Sequence, residues 1–260
     1  MNTDEPVDEE RLDGGNLGGA VRVGDTVRRV TGPWTPAVHS LLAHLERVGF
    51  SGAPRALGID DQGREILTFL PGNAVGSQKP WPRWVHEETT LDAAASWMRR
   101  YHDAVANFVP DPGAIWRTAG TWTPGLIVGH NDAAPYNAAY HDGTLTGFFD
   151  WDFAGPVTRE WDLAYAASSW VPLHARAVAT EEGFTDFAAR PRRLRRFLEV
   201  YGWSGDLRAF VAVVHDRVEA HLADLHALAA GGDPDFVRLL AAGTADRLRD
   251  ALREMESIEF

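Results

Sequence analysis

The amino-acid sequence predicts an α+β fold: a small antiparallel β lobe with one helix, then a larger, mainly helical lobe. Three observations predict it. Short segments that alternate apolar and polar residues are concentrated before residue 70. The segment 71–80 (PGNAVGSQKP) is rich in Gly and Pro, and longer stretches with helical apolar spacing follow it. Strands and helices segregated in this way favour α+β over a repeated βαβ unit.

These changes in pattern also predict the domain boundaries. Residues 1–10 are acidic and are expected to form a disordered tail. Residues 11–70 would form the small lobe, 71–80 a hinge, and 81–260 the helical lobe. Hydrophobic residues make up 45% of the chain, which is enough for a packed core.

The small lobe is predicted to begin with a β-hairpin. Residues 20–24 (AVRVG) and 26–30 (TVRRV) alternate around Gly24-Asp25, a turn signal. A helix is predicted next, with Thr35 as N-cap, Pro36 in its first turn and Gly49 at its end. Two further strands, ALGID and REILTFL, are joined by a turn that ends in glycine.

The helical lobe is predicted to contain one short β segment, residues 126–150, between its helices. The helices are predicted from the spacing of apolar residues, from Asp and Pro at the N-terminal ends and from Gly at the C-terminal ends. The predicted helices are 87–108, about 160–170, 192–201, 206–230 and 234–257.

Composition limits the functional classes. The chain has no cysteine, which excludes disulfides and thiolate metal sites and is expected of a cytoplasmic protein. Its formal net charge of −12 disfavours nucleic acid and anionic membranes as partners. The same charge would attract cationic small molecules. No run of about 18 apolar residues predicts a membrane-spanning helix.

The most informative stretch is HNDAAPYNAAYHDGTLTGFFDWD, residues 130 to 152. A hairpin turning at Asp142-Gly143 would bring Asp150 back beside Asn137, near Asp132. Carboxylate and amide oxygens are suitable ligands for a Mg²⁺ ion that also binds nucleotide phosphates. A carboxylate that does not bind the metal can orient a hydroxyl group. This set of groups is typical of phosphoryl transfer. The alternative is structural, with Asp132 and Asn137 as turn residues and Asp150 as a cap.

HNDAAPYN resembles the catalytic loop H-x-D-x-x-x-x-N of the protein-kinase-like superfamily. FFDWDFAGPVTREWDLAY is similar to the aminoglycoside phosphotransferase and choline kinase branch. The resemblance implies a two-lobed, protein-kinase-like fold. It implies that Asp132 is the catalytic base, that Asn137 and Asp150 bind Mg²⁺, and that His130 and Asp162 support the loop.

On the nucleotide side, the sequence offers a glycine-rich turn, with Gly14, Gly15 and Gly18 as candidates for covering phosphates. The family usually places a Lys on the third strand. This chain has Arg28 and Arg29, and we expect Arg29 to point inward. Phe69 and Leu70 at the hinge are candidates for contacting the nucleotide base.

The residue that usually pairs with this cation is also missing. Family members usually have a Glu on the next helix that pairs with this cation. In this chain Val38 and His39 lie near the corresponding position, and Glu46 lies two helical turns beyond it. The family's ion pair is therefore not expected here.

The acceptor is expected to bind against the helical lobe. Candidate residues are Asp152, expected to be exposed, Glu160 and Trp170. Carboxylates and an indole face would suit a cationic acceptor, although the spacing of Trp97, Trp161 and Trp170 favours the core.

The sequence therefore predicts a small-molecule kinase that transfers the γ-phosphoryl group of ATP, or of GTP, to a hydroxyl with Mg²⁺. A cationic, aminoglycoside-like acceptor is expected. The alternatives are a kinase-like binding or scaffold module without turnover and, third, a metal-dependent hydrolase. The sequence does not predict the oligomeric state.

Overall fold

The structure is a computed structural model that describes residues 9–12, 19–76, 79–118 and 120–260 of the chain. Its small lobe is built on one five-stranded antiparallel sheet in the order β1-β2-β3-β5-β4. The strands are β1 (Glu10–Arg11), β2 (Val21–Val23), β3 (Thr26–Val30), β4 (Ala56–Ile59) and β5 (Arg64–Thr68). The expected hairpin at Gly24-Asp25 is β2–β3.

Helix α1 (Thr35–Arg47) lies between β3 and β4 in the chain. Its buried face includes Leu41, Leu42 and Leu45, as the spacing predicted. The N-cap differs from the prediction: it is Trp34, and Thr35 already belongs to the helix. The Thr35 hydroxyl instead accepts a hydrogen bond from the Gly32 amide at 2.9 Å.

The connection between the lobes is bound to the helical lobe at Asn73. Asn73 and Tyr140 exchange two backbone hydrogen bonds, of 2.7 and 2.9 Å. Gly72 is in the left-handed region (φ 124°), and a Cβ there would lie 2.3 Å from the Tyr140 carbonyl oxygen. Glycine is required at this position because the two backbones approach so closely.

The second lobe is mainly helical. Its helices are α2 (Glu88–Ala104), α3 (Arg159–Trp170), α4 (Arg176–Glu181), α5 (Arg190–Tyr201), α6 (Leu207–Ala230), α7 (Pro234–Ala241) and α8 (Thr244–Glu256). The prediction missed α4. It also wrongly joined α7 and α8, which are separated at Gly243, where φ is 80°.

Short strands lie within this lobe. They are β6 (Ile127–Gly129), β7 (Ala138–His141), β8 (Thr144–Phe148) and β9 (Gly155–Val157). β6 pairs with β9, and β7 with β8 forms the expected hairpin around Asp142-Gly143. Both turn residues have positive φ, as a two-residue hairpin turn favours.

The core extends from α1 into the helical lobe and is rich in aromatic residues. Its largest fully buried side chains include Trp97, Trp151, Trp170, Tyr101, Phe148, Phe197 and Phe210. Trp97 lies 4.5 Å from Phe148 between ring centroids, which packs α2 against β8. Among the described helices, none is both long and apolar enough to cross a membrane.

Candidate active site

The loop that follows β6 is fixed from below by Asp162 on α3. The Asp162 carboxylate accepts hydrogen bonds from the backbone amides of His130 (3.0 Å) and Asn131 (2.7 Å). Gly129 allows this approach, because a Cβ there would lie 2.8 Å from the Asp162 carboxyl carbon. The Asp162 carboxylate therefore holds the backbone at the start of this loop.

A buried histidine completes this support. His102 on α2 lies with Nε2 3.0 Å from Asp162 and Nδ1 2.8 Å from the Tyr201 hydroxyl. Burial opposes the charged form of Asp162, but the hydrogen bond and charge of His102 outweigh it and hold its pKa below the usual range. Sequence reasoning missed His102 because nothing in its helix distinguishes it from a core residue.

His130 is fully buried beneath the loop. Its ring lies 4.4 Å from Trp151 between centroids, and the Asp132 amide lies 3.3 Å from its Nδ1. Burial lowers the pKa of His130, so the neutral imidazole is favoured, with Nδ1 as acceptor. This environment suits packing under the loop better than proton transfer.

Asp132 projects from the loop into a cleft. Its carboxylate accepts hydrogen bonds from the Tyr136 hydroxyl and the Asn137 side-chain amide, both at 2.7 Å. Tyr136 is in turn 2.8 Å from the Tyr165 hydroxyl. Burial, with repulsion from Asp150, raises the pKa of Asp132 to about 7, although the Tyr136 hydrogen bond opposes the shift. A carboxylate with this pKa can exchange a proton near neutral pH.

Asn137 and Asp150 stand at the two ends of the β7–β8 hairpin. The Asn137 amide nitrogen is engaged by Asp132, which leaves the amide oxygen as a possible ligand. Asp150 adopts a left-handed backbone (φ 60°), uncommon for a residue other than glycine, which sets the direction of its carboxylate. Both residues and Asp132 line one cleft of about 450 Å³.

The cation opposite this hairpin is Arg29, as expected from strand alternation. Its Nη2 lies 2.9 Å from Asp150 and 2.7 Å from Asp152. Arg28 points elsewhere, toward Asp60 at 3.7 Å. Burial disfavours the charged guanidinium, but Asp150, Asp152 and Glu65 outweigh that and raise the pKa of Arg29 further.

A carboxylate partner for this cation exists, on a strand instead of the helix. Glu65 is directly opposite Arg29 in the β3–β5 register, and their side chains approach to 3.7 Å. Glu65 is buried and also lies 2.9 Å from His39 of α1. Sequence reasoning missed Glu65. The signal would have been the pairing of β3 with β5, which places the two residues opposite each other.

A second cleft of about 520 Å³ lies between the sheet and the hairpin. Val27, Leu67, Phe69 and Leu70 line it from the small lobe, with Asn137 and Asp150 at the opposite side. The Phe69 amide is already bonded to the Asp25 carbonyl at 2.8 Å. Gly14, Gly15 and Gly18, the predicted phosphate cover, lie outside the described residues.

The acceptor-side predictions fit the structure less well. Trp170 is only 2% exposed, and its indole donates to the Ala133 carbonyl, so it belongs to the core. Glu160 lines neither of the two clefts. Asp152 is buried, not exposed as expected; it contacts Arg29 and, at 3.6 Å, Arg117. Burial raises the pKa of Asp152 to about 6, although Arg29 opposes the shift.

Other residues form the wall of the Asp132 cleft instead. Tyr165 comes from α3, and Lys79 and Trp81 from the start of the helical lobe. Helix α6 contributes a further set: Arg217, His221 and Asp224. Their spacing of four and three residues puts them on one helix face, a signal that the sequence did contain.

The model of the phosphotransferase enzyme family matches residues 37–197. The chain belongs to the phosphotransferase enzyme family. This phosphotransferase is also 34% identical over 223 residues to the trifolitoxin immunity protein of Rhizobium leguminosarum bv. trifolii. That match spans 82% of this chain and 83% of the relative.

Solved structures confirm the fold of this phosphotransferase. Amicoumacin kinase hAmiN, in complex with AMP-PNP, Ca²⁺ and Ami, has a TM-score of 0.66 at 16% identity, over 97% of this chain and 89% of that one. A choline/ethanolamine kinase family protein from Mesorhizobium loti has a TM-score of 0.58 at 16% identity, over 97% of this chain and 92% of that one. The GDP and kanamycin complex of APH(2″)-IIIa has a TM-score of 0.59 at 14% identity, over 100% of this chain and 96% of that one. The predicted kinase-like, two-lobed α+β architecture is therefore confirmed.

Proposed function

We propose that this phosphotransferase transfers the γ-phosphoryl group of ATP to a hydroxyl of a small molecule, in the presence of Mg²⁺. One observation carries the proposal. Asn137 and Asp150 line both clefts, whereas Arg29 lines only the cleft beneath the sheet and Asp132 only the other. A nucleotide beneath the sheet would thus present its terminal phosphate at the junction, next to the acceptor.

The residues at the junction fit a divalent metal. The Asn137 amide oxygen and the Asp150 carboxylate are hard oxygen donors, which Mg²⁺ prefers. When bound, the metal would neutralise charge on the phosphates during transfer. Arg29 now bonds one Asp150 oxygen, so holding metal there requires this contact to loosen.

Asp132 would act on the acceptor. Its carboxylate would orient the hydroxyl and take its proton as the oxygen bonds to the γ-phosphorus. The bond from that phosphorus to the bridging oxygen would break, and ADP would leave. Tyr136 and Asn137 hold Asp132 in place, so this orientation exists before the substrate arrives.

For the nucleotide donor, the solved relatives include one bound to AMP-PNP and one bound to GDP. The cleft wall of Val27, Leu67 and Leu70 is apolar and suits either purine ring. We propose ATP because it is the usual phosphoryl donor in cells, and we propose that the protein acts in the cytoplasm, where ATP is supplied.

For the acceptor, we propose a toxic or antibiotic-like small molecule that carries amino groups. A relative with 34% identity is named an immunity protein, and one solved neighbour contains kanamycin. In this chain the carboxylate of Asp224 lines the acceptor cleft and could bind an ammonium group. Phosphorylation would then protect the cell that makes the enzyme.

The proposal is tested by incubating the protein with ATP, Mg²⁺ and a panel of aminosugars, amino alcohols and hydroxyl-bearing peptides. We expect formation of ADP and a phosphorylated acceptor, both abolished by EDTA. Nucleotide binding without phosphorylation of any acceptor would contradict the proposal and favour a binding module.

A further inference from the structure

One face of α6 presents an arginine to the acceptor cleft with no acidic partner. Arg217, His221 and Asp224 follow one another along this face and all line the cleft. No carboxylate lies within 4.0 Å of the Arg217 guanidinium among residues 9–12, 19–76, 79–118 and 120–260.

The contacts of Arg217 leave most of its donors unused. Its Nη2 donates to the Asn131 carbonyl at 3.3 Å, while its Nε is buried without a partner. The guanidinium lies 4.8 Å from the Tyr165 ring centroid and 5.6 Å from that of Trp161, so its plane is held in place. A fixed, partly buried guanidinium is well suited to binding a carboxylate with two parallel hydrogen bonds.

The acids of the cleft do not neutralise this charge. Asp150 bonds Arg29, and Glu182 bonds Lys79 and His174. Asp132 is engaged by Tyr136 and Asn137. Asp224, two turns along α6, forms no direct ion pair with Arg217; burial raises the pKa of Asp224, and the charge of Arg217 opposes this shift. Because an unpaired charge in a partly buried site is costly, an anion from the ligand would be favoured there.

Resting on the proposed function, we propose that the acceptor carries a carboxylate that binds Arg217 close to the hydroxyl that is phosphorylated. Arg217 contacts the carbonyl of Asn131, the residue that precedes Asp132, so the two groups of the ligand are a few bonds apart. Asp224 on the same helix face would bind an ammonium group of the same ligand. The substrate class is a zwitterionic hydroxy acid, such as a peptide that ends in serine or threonine.

The size of the cleft supports a ligand larger than one amino acid, and the state of His221 defines the charges that the ligand meets. The cleft of about 450 Å³ is of the size that encloses a drug-sized molecule. His221, between Arg217 and Asp224, has a pKa lowered to about 4 by burial and by Arg217, so it adds no charge at neutral pH. The face therefore presents a cation, a neutral group and an anion in order.

The test compares matched peptides that differ in one group. Glycyl-L-serine and glycyl-L-threonine carry a terminal carboxylate, and their C-terminal amides do not. Binding is measured by calorimetry without nucleotide, so the result does not depend on turnover. We expect each acid to bind wild-type protein at least about tenfold more tightly than its amide, since a charged hydrogen-bonded pair contributes this much.

Variants assign the preference to Arg217. Arg217→Gln should reduce the ratio of acid affinity to amide affinity to below about threefold. Arg217→Lys keeps the charge but loses the two parallel guanidinium donors, so its affinity ratio should lie between those of wild type and Arg217→Gln. Arg208→Gln is the control: it removes an exposed charge from the same helix and should leave the ratio unchanged. Melting temperatures establish that each variant is folded.

Several results would overturn the inference. They are failure of both acids to bind, equal binding of acid and amide, and a preference that survives Arg217→Gln. An equal fall in kcat for charged and neutral acceptors in Arg217→Gln would assign Arg217 to the transferred phosphate instead. Carboxylate-selective binding that is lost in Arg217→Gln, without phosphorylation of any acceptor, would refute the proposed function and the acceptor role, and would support only a carboxylate-binding site at Arg217.

Discussion

The catalytic loop and the small-lobe cation site are built in different ways. In the loop, the His130 and Asn131 amides donate to the buried Asp162 carboxylate, which His102 also contacts. The Tyr136 hydroxyl donates to Asp132. The cation site depends on Arg29, which meets Asp150 and Asp152 across the cleft and approaches Glu65 only to 3.7 Å. The loop is organised without substrate, whereas under the proposed function Arg29 would exchange partners when nucleotide and metal bind.

This difference separates geometry that is fixed on folding from geometry that is completed on binding. Substitutions in the loop should therefore affect chemistry or folding directly. Substitutions around Arg29 should act mainly on the nucleotide, with smaller effects.

The largest effect is expected at Asp132. Asp132→Asn should lower kcat by about 10³, since a positioned base typically contributes 10² to 10⁴. Steady-state kinetics at saturating ATP checks this. Asp142→Asn, at a turn residue whose side chain is 93% exposed, makes the same chemical change and should leave kcat unchanged. Comparable loss in both variants would remove Asp132 from the reaction.

Asp162 tests whether the loop is fixed by the buried network. Asp162→Asn should lower the free energy of unfolding by about 3 kcal/mol, because it breaks a buried, hydrogen-bonded charge. Urea denaturation of both proteins from about pH 2 to 8 measures the difference.

The pH dependence of this difference has a defined sign. The folded-state pKa of Asp162 lies below the usual value, so its stabilisation is complete above the unfolded pKa, near 4. It is lost as the pH falls through the lower, folded-state pKa. The gap between wild type and Asp162→Asn should be constant from pH 6 to 8 and shrink in acid; a gap that widens in acid would contradict the assignment.

Arg29 tests the other half of the comparison. Arg29→Met should reduce kcat/KM for ATP by about 10², the order expected when one preorganised electrostatic donor is lost. Arg28→Met on the same strand, whose charge faces Asp60, serves as the control and should change it less than threefold. Arg29→Lys should retain more activity than Arg29→Met, because the charge is kept. If Arg29→Met were as active as wild type, the proposed role of Arg29 in binding ATP would be contradicted.

The smallest effect is expected at Glu65. Glu65→Gln should raise KM for ATP about fivefold, equivalent to about 1 kcal/mol, because a 3.7 Å ion pair only helps to position Arg29. The exposed Glu46→Gln is the matched control. If Glu65→Gln and Arg29→Met together lose no more than Arg29→Met alone, the two residues act as one unit.

The loop that carries Asp132 could be predicted from the sequence because the residues that form it lie within one short stretch. His130, Asp132, Asn137 and Asp150 span a loop and one hairpin, and the hairpin turn was itself recognisable at Asp142-Gly143. The same applies to the β2–β3 hairpin and α1.

Residues that depend on distant pairing were not readable. Glu65 meets Arg29 through the β3–β5 register, which skips over α1 and β4. Trp170 and Glu160 were predicted at the acceptor because an indole face and a carboxylate would suit a cationic ligand, but α3 turns Trp170 into the core. Arg217 comes from α6, and only the packing of α3 against α6 brings it to the loop.

The pair of hydrogen bonds between Asn73 and Tyr140 limits how the lobes can rotate. Tyr140 belongs to the hairpin that carries Asn137 and Asp150, so Asn73 is anchored to the hairpin that is proposed to bind metal. A second tie comes from Gly52, before β4, whose carbonyl accepts hydrogen bonds from the Phe148 amide (3.0 Å) and the Trp97 indole (3.2 Å). A tilt of the small lobe over a nucleotide would therefore carry with it the hairpin that bears Asn137 and Asp150, the two proposed metal ligands.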